Sequence, residues 1–164
     1  MLYSETAQLL VIDKGLALTS EIDFIADGHA TTSLGFLAGA TFAGLKSFGE
    51  QKLDLAILVS EYPCTSGGIF TTNAIKASSL KLTEEYLKAG NIRALVVNSG
   101  IANAGVGEQG LKDAREMSTL ASSQLGLEAR EVAICSTGLI GVELPMALIR
   151  AGLSKINLSA DSGI

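Results

Sequence analysis

One short segment of the chain, Cys135–Gly141, combines the end of a predicted buried strand with a hydroxyl side chain and two glycines. Glycine lets the backbone approach a bound group closely, and backbone N–H groups are common donors to the oxyanion of an acyl-transfer intermediate. The hydroxyl of Thr137, beside Gly138, supplies a second donor. The residue types therefore indicate an oxyanion-binding site, although spacing alone favours an ordinary strand-to-helix turn.

A second segment, Gly105–Gly110, has the spacing G-x-G-x-x-G between a predicted strand and a predicted helix. In dinucleotide-binding sites the strand runs almost directly into the first glycine, and an acidic residue ends the next strand. Here Ser99–Ala104 intervene, and Cys135 and Ser136 occupy the place of the acidic residue. The pattern favours a turn whose glycines adopt positive φ before a helix, with nucleotide binding as the alternative.

The sequence offers no nucleophile together with its own base, which nucleophilic catalysis requires within hydrogen-bond reach. The single histidine, His29, lies in the least regular part of the chain and is interpreted as a surface or core residue. Cys135, at the end of a predicted strand, is interpreted as a small buried apolar residue rather than a reactive thiol. The candidate oxyanion donors are therefore present without an attacking group.

The composition of the 164 residues limits the class of protein. Apolar residue types make up 48% and charged types 18%, which suffices for a core and excludes a disordered chain. The 12 Lys and Arg against 17 Asp and Glu give a net charge of −5, which opposes binding to nucleic acid or anionic lipid. Cys64 and Cys135 match neither a zinc site nor a disulfide framework and are expected to be thiols.

The mean hydropathy of +0.39 is positive, but a membrane-spanning helix needs ~20 consecutive apolar residues and the sequence contains no such run. Its longest uncharged stretches, 30–45 and 94–107, are interrupted by Gly, Ser, Thr and Asn. The first cation is Lys14 and the first arginine is Arg93, so a secretory or transit peptide is not expected. These observations predict a cytoplasmic protein.

The elements that must position these segments alternate between strand and helix in the second half of the chain. Buried apolar runs predict strands over Leu53–Val59, Ile69–Ala77, Ile92–Asn98 and Glu131–Ser136. Thr83 is the predicted N-cap of a short helix that Gly90 closes. Apolar residues at three- and four-residue steps predict the longest helix over Glu108–Gly126, and Pro145 opens a last helix to about Ile156.

Alternating strands and helices predict an α/β or α+β fold, with a mixed β-sheet layered with helices. The sequence contains no internal repeat and no linker, which predicts a single domain over residues 1–164. Residues 1–34 form a poorly defined N-terminal segment, with short apolar runs at Leu9–Ile12 and Ile22–Ile25 that are candidate strands.

Four motifs occur in the order found in one known enzyme family. They are Phe70-Thr71-Thr72-Asn73; Val96-Val97-Asn98-Ser99-Gly100 with Ala102-Asn103-Ala104; Gly107-Glu108-Gln109-Gly110; and Ser136-Thr137-Gly138-Leu139-Ile140-Gly141 followed by Leu144-Pro145-Met146. With these motifs the chain resembles the N-terminal, or α, part of the glutamate/ornithine N-acetyltransferases of arginine biosynthesis. The likeness runs from about Gly35 to Ile156.

The resemblance implies an acyltransferase whose threonine nucleophile is exposed when the precursor cleaves itself into α and β chains, with the free amine of that threonine as its base. Acetyl then passes from N-acetylornithine to the threonine and on to glutamate. The oxyanion hole of the family maps onto Thr137 and Gly138. The nucleophile is thus expected on another chain, which accounts for donors without an attacking group.

The same resemblance implies a β-chain partner in an assembly of two α and two β chains, and no activity without the β chain. It implies no metal and no cofactor, with acetyl-CoA as an acetyl donor in the bifunctional members. The small-molecule partners are N-acetylornithine and glutamate. An α chain by itself is expected to expose an apolar patch larger than the few hundred Å² typical of monomers.

The sequence departs from the family pattern at three places. Ile101 stands where asparagine is usual, and Gly105-Val106 stand where Cys-Thr is typical, which is expected to change the packing or polarity of that loop. The sequence ends at Ile164, before the expected substrate-binding threonine and cleavage junction. A truncated α portion, a processed piece and a homologue without the catalytic threonine are all compatible with this end.

Two further hypotheses stay open. The first is a noncatalytic α/β module that binds a nucleotide through Gly105–Gly110 or binds a partner, and calorimetric titration with nucleotide tests it. The second is a degenerate homologue that serves in assembly alone, which activity of the reconstituted complex would exclude.

Overall fold

The computed structural model describes residues 25–46 and 52–161, together with the backbone of two short strands, β1 (Ile12–Asp13) and β2 (Leu16–Ala17), which pair antiparallel. The other regular elements are a four-stranded sheet, three α-helices and a short 3₁₀ helix (Ala129–Glu131), an α+β fold that confirms the expected mixed sheet layered with helices. The sheet consists, in spatial order, of β3 (Phe36–Thr41), β4 (Leu55–Ser60), β5 (Ala94–Ile101) and β6 (Val132–Leu139).

The core lies on one face of this sheet. Strands β3, β4 and β5 run antiparallel to one another, and β6 pairs parallel with β5. The register aligns Ile57, Val96 and Ile134 in one row across three strands, and all three are buried. Because successive side chains in a strand point to opposite faces, these aliphatic residues form one continuous surface for the helices to cover.

The three helices are α1 (Ser78–Ala89), α2 (Gly107–Leu125) and α3 (Met146–Leu153). The predicted apolar stripe of α2 is confirmed, because Ala114, Met117 and Ala121 on this stripe are fully buried. Gly126 ends the helix with φ 67°, the left-handed conformation that glycine adopts readily. As predicted, the last helix starts directly after a proline, which occupies its N-cap position.

The predicted strand over Ile69–Ala77 is wrong, since this stretch is irregular backbone. Asn73 organises a local turn in which its N–H donates to Thr71 Oγ1 at 3.2 Å and its Oδ1 accepts from the N–H of Ile75 at 2.9 Å. Side-chain hydrogen bonds of this kind compete with the ladder bonds of a sheet. The β-branched composition of the stretch is strand-like, but its polar side chains bond to nearby backbone.

Helix α1 begins at Ser78, so the prediction of Thr83 as its N-cap is also wrong. The Thr83 hydroxyl instead donates to the carbonyl oxygen of Ile134 and accepts from the N–H of Ile134, both at 3.0 Å. One side chain thereby pairs both backbone groups of a β6 residue, as a neighbouring strand would. Gly90 closes α1 as predicted, in an extended conformation that any residue can adopt.

An acidic residue on α1 ties the preceding segment to the helix. Glu84 forms ion pairs with Lys76 at 2.8 Å and with Lys88 at 2.9 Å. Hydrogen bonds from the Lys76 and Lys88 ammonium groups lower the pKa of Glu84 to about 2. Because ion pairs near the surface contribute little to stability, the cluster mainly ties Lys76, at the end of the preceding segment, to α1.

Replacing Thr83 by valine is expected to lower the free energy of unfolding by about 1–3 kcal/mol, because both backbone groups of the buried residue Ile134 lose their partner. Chemical denaturation followed by far-UV circular dichroism measures the loss. Thr119→Val is the matched control, because the hydroxyl of Thr119 bonds to Arg115 of its own helix at an exposed position. Equal losses in the two variants would contradict the assigned role of Thr83.

No helix within the described part of the chain is both long and apolar enough to cross a membrane. The candidate strands at Leu9–Ile12 and Ile22–Ile25 lie outside the described residues, except for Ile12 and Ile25 themselves.

Candidate functional site

The segment with the candidate donors begins on β6. This strand continues to Leu139 instead of ending at Ser136 as predicted, so Thr137 and Gly138 lie in the parallel ladder, opposite Ser99 and Gly100. The expected turn at 137 and 138 is therefore wrong, and the bend comes at 140–141. The strand is longer because β5 also continues past the predicted end, which provides β6 with ladder partners.

The end of β6 forms an open edge of the sheet. The carbonyl of Leu139 accepts from the N–H of Ala102 at 2.8 Å, so the odd-numbered residues of β6 bond toward β5. Backbone groups alternate in direction along a strand, and the even-numbered residues therefore direct their N–H groups to the outer edge. Thr83 covers this edge at Ile134, whereas Gly138 is exposed. The N–H of Gly138 thus faces solvent-accessible space.

The side chain of Thr137 lies at the same open end and is exposed. Within the described ranges, its hydroxyl forms no hydrogen bond with another residue. Because Cα atoms of adjacent residues are about 3.8 Å apart, a small group at this edge can reach both the Thr137 hydroxyl and the Gly138 N–H. The arrangement suits a bound group that accepts two hydrogen bonds.

Glycine is required at Gly138 for two reasons. Its φ of 129° lies in the region that side chains disfavour, and a Cβ would stand 2.6 Å from the nitrogen of Ile101 and closer still to the carbonyl of Gly100. Gly100 has φ 111°, and its Cβ would stand 2.8 Å from the carbonyl oxygen of Leu45. Three backbone segments, at Leu45, Gly100 and Gly138, therefore stack with no side chain between them.

Two polar side chains of the motifs lie beneath this edge. Asn98 on β5 is fully buried and donates from Nδ2 to the carbonyl of Ile101 at 2.9 Å. Its ladder neighbour is Ser136. The Asn98 Oδ1 and Ser136 Oγ atoms are both buried and have no hydrogen-bond partner among the residues that the structure describes. The side-chain amide of Asn98 thereby holds the backbone at Ile101, the last residue of β5, before the chain turns toward the glycine-rich loop.

Backbone conformation and close packing account for the glycines of the Gly105–Gly110 loop. Gly105 and Gly107 have φ of 72° and 61°, as the interpretation of a turn before a helix requires. Gly110 is buried in the first turns of α2, where a Cβ would stand 2.5 Å from Asn103 Oδ1. The N–H of Gly141 donates to Ala104 at 2.7 Å, which joins this loop to the bend after β6.

The departures from the family pattern suit their surroundings. Ile101 is buried and belongs to the hydrophobic core, where an aliphatic side chain needs no hydrogen-bond partner. A Cβ on Gly105 would stand 3.3 Å from Cγ2 of Ile140, so a residue without a side chain leaves room for that isoleucine.

The remaining reactive side chains lie in other settings. His29 is exposed, and its Nδ1 lies 3.0 Å from Thr31 Oγ1. Cys135 is exposed, so its interpretation as a buried residue is wrong: it alternates with the buried Ile134 and faces the other side of the sheet. Cys64 and Cys135 are free thiols, as expected. The described residues hold no cluster of three or more His, Cys, Asp or Glu that could bind a metal ion.

An apolar cavity of about 300 Å³ lies between the sheet and the irregular 61–77 segment. Its walls include Phe36, Leu58, Phe70, Leu87 and Leu95. Neither Thr137 nor Gly138 contributes to its lining, so the cavity is separate from the candidate donors.

Sequence reasoning missed two residues that shape the site. Gly100 ends a quoted motif, but its packing against Gly138 depends on the pairing of β5 with β6. Asp54 is a buried acid directly before β4. A charged residue at the start of a buried apolar run is a usable signal, because acids are rarely buried without partners.

Comparisons with known proteins identify the family and the fold of the chain. The model of the ArgJ family matches residues 37–162. An arginine biosynthesis bifunctional protein ArgJ from Dehalococcoides mccartyi is 45% identical over 146 residues, which cover 89% of this chain and 36% of that protein. The protein of the same name from Symbiobacterium thermophilum is 44% identical over 126 residues, which cover 77% of this chain and 31% of that protein. The chain thus spans about a third of the length of the curated relatives it matches.

Two crystal structures are also similar. That of ArgJ from Bacillus halodurans has a TM-score of 0.78 and 36% identity, covering 83% of this chain and 70% of that one. That of ornithine acetyltransferase from Mycobacterium tuberculosis, in complex with ornithine, has a TM-score of 0.78 and 35% identity, covering 83% of this chain and 74% of that one.

Proposed function

Because the chain belongs to the ArgJ family of arginine biosynthesis proteins, we propose that it is the α-chain part of an acetyltransferase that moves acetyl from N-acetylornithine to glutamate. In this proposal, the Thr137 hydroxyl and the Gly138 N–H form the oxyanion hole. The observation that carries it is the pair of adjacent donors at an open sheet edge: the Thr137 hydroxyl, which bonds to no described residue, and the outward-directed N–H of Gly138.

The reaction begins when a threonine at the start of the β chain attacks the acetyl carbonyl of N-acetylornithine. The C=O bond becomes a C–O⁻ bond, and this oxygen accepts hydrogen bonds from Thr137 and Gly138. The intermediate collapses as the C–N bond breaks, and the β-chain amine that took the threonine proton returns it to the leaving ornithine amine. Attack by the amine of glutamate on the acetyl ester reverses these steps and regenerates the threonine.

The donors favour this reaction because the charge that they bind develops in the tetrahedral intermediate. Hydrogen bonds aimed at the developing oxyanion lower the barrier without reorganisation during the step. The ladder with β5 holds the donor strand before substrate arrives. The proposed reaction uses no metal and no cofactor, and acetyl-CoA enters only as an alternative acetyl donor.

We propose that the β chain packs against the end of β6. Leu139, Ile140 and Val142 follow the donors directly and are exposed by 64%, 73% and 45%. Burial of apolar surface is the main driving force for association, so a partner that covers these side chains would bring its threonine close to Thr137 and Gly138. We place this contact in a heterotetramer of two α and two β chains produced by self-cleavage of a precursor in the cytoplasm.

Reconstitution tests the proposed function. The chain alone is expected to transfer no acetyl, whereas its complex with a family β chain is expected to transfer labelled acetyl from N-acetylornithine to glutamate. A complex whose β-chain threonine is replaced by alanine is the matched control and is expected to be inactive. Transfer by the chain alone, or none by a correctly assembled complex, would contradict the proposal.

A further inference from the structure

A buried carboxylate lies behind the candidate oxyanion hole. Asp54 precedes β4 and is 3% exposed. Its Oδ1 accepts from the N–H of Ala43 at 2.7 Å, and its Oδ2 accepts from the N–H groups of Leu45 at 2.7 Å and Lys46 at 3.2 Å. Three backbone donors from one segment therefore converge on a single carboxylate. The mechanism above gives this group no role.

The segment that Asp54 holds supports the stacked glycines. The carbonyl of Leu45 packs on Gly100 where a side chain would otherwise stand, and the carbonyl of Gly100 packs on Gly138 in the same way. Asp54 also acts through its main chain, because its carbonyl accepts from the N–H of Ser99 at 2.9 Å. Ser99 and Gly100 are the ladder partners of Thr137 and Gly138.

We propose that Asp54 is a positioning residue for the oxyanion hole: it clamps residues 43–46 on Gly100 and thereby fixes the Gly138 N–H and the Thr137 hydroxyl. This inference rests on the proposed function. The 43–46 segment and Gly100 lie between the Asp54 carboxylate and the donors, so Asp54 is expected to act through them and not on the substrate directly.

A carboxylate suits this task better than its amide. An ionised carboxylate accepts on both oxygens, and hydrogen bonds from N–H groups to a charged acceptor are stronger than those to a neutral acceptor. Asparagine presents one oxygen and one NH₂ group, so whichever way it is oriented, at least one of the three backbone N–H groups faces another donor. Asp54→Asn therefore loosens the segment while almost preserving the volume of the side chain.

The test uses the complete enzyme, the α chain assembled with its β chain. Asp54→Asn is expected to lower kcat about 10- to 100-fold, because a shift of about 1 Å in a positioned group costs on this order. The KM values for N-acetylornithine and glutamate are expected to change less than about twofold, since the clamp acts on the transition state. Asp113→Asn is the matched control, because Asp113 is also 3% exposed but bonds to Gln109 on α2. The control is expected to keep its kcat.

Gly44→Ala reaches the same clamp without touching the carboxylate. Gly44 has φ 84°, and no atom of the described residues is closer than 3.9 Å to a Cβ, so alanine strains the clamped segment but fits in the space. Its kcat is expected to fall about 3- to 10-fold. Gly126→Ala carries the same kind of strain at the end of α2 and is expected to keep its kcat. If the Asp54→Asn enzyme fails to assemble, Gly44→Ala and Gly126→Ala test the proposal. A lower kcat in Gly44→Ala alone supports the clamp, and equal kcat values in the two variants contradict it.

The variants also separate the inference from the proposed function. If Asp54 acts through the donors, adding Asp54→Asn to Thr137→Ala should slow the enzyme by less than the product of the two single effects. If Thr137→Ala is impaired while Asp54→Asn and Gly44→Ala match their controls, the clamp is wrong and the oxyanion hole stands. If Thr137→Ala has full activity, the assignment of Thr137 to the oxyanion hole fails, whereas the proposed acetyl transfer fails only if the assembled parent enzyme transfers no acetyl. If the kcat losses of the two single variants multiply in the double variant, Asp54 acts independently of Thr137 and is a purely structural residue.

Discussion

In the complete enzyme, replacing Thr137 by alanine is expected to lower kcat for acetyl transfer about 10²- to 10³-fold, the usual cost of removing one oxyanion donor. The loss falls on kcat because the hydroxyl binds the charged intermediate more strongly than the neutral acetyl group. The Thr137 side chain is exposed and its hydroxyl bonds to none of the described residues, so assembly with the β chain should survive the change. Steady-state kinetics with N-acetylornithine and glutamate measures the effect.

Thr137→Ser is the matched control, because it keeps a hydroxyl at the same position. Its kcat is expected to stay within about tenfold of the parent enzyme. An alanine variant as active as the serine variant would show that the hydroxyl does not bind the intermediate. Equal losses in both variants would point instead to the methyl group of threonine.

A larger effect is expected at Gly138, where alanine should both destabilise the fold and abolish most activity. The positive φ and the overlap with the Gly100 backbone each cost about 1–3 kcal/mol, so the free energy of unfolding should fall by about 2–6 kcal/mol. The backbone must shift to relieve the overlap, which turns the N–H away, and kcat should fall at least about 10²-fold. Denaturant unfolding and steady-state kinetics measure the two losses.

Gly141→Ala separates the conformational strain from the overlap. Gly141 has φ 80°, and within the described part of the chain no atom lies within 4 Å of a Cβ. Its substitution should therefore cost about 1–2 kcal/mol, from the conformation alone. If Gly138→Ala were no more destabilising than Gly141→Ala, the stacking of Gly138 on Gly100 would not be the reason for glycine at this position.

The regular elements of the second half could be predicted from local sequence. The apolar stripe of α2 repeats with the helical period over five turns and ends at a glycine, so neighbouring residues carry the whole signal. The start of α1 could not be predicted in this way. Threonine is a common N-cap residue, but the hydrogen-bond partner of the Thr83 hydroxyl is Ile134, which lies 51 residues further along the chain. The same limit applies at Ile69–Ala77, where β-branched residues resemble a strand but the local turn at Asn73 prevails.

Residue types alone identify which groups can donate to an oxyanion, because the chemistry of a hydroxyl side chain and of a glycine backbone does not depend on the fold. The four motifs, in their order, likewise identify the family. The direction of these donors, by contrast, follows only from the tertiary structure. The outward direction of the Gly138 N–H follows from the ladder of β6 with β5, and the need for glycine there follows from the backbone of Gly100. The carboxylate of Asp54 matters because folding brings the 43–46 segment onto Gly100. These properties arise from contacts between segments that are far apart in the sequence. The local sequence around each residue does not indicate which distant segment it will contact.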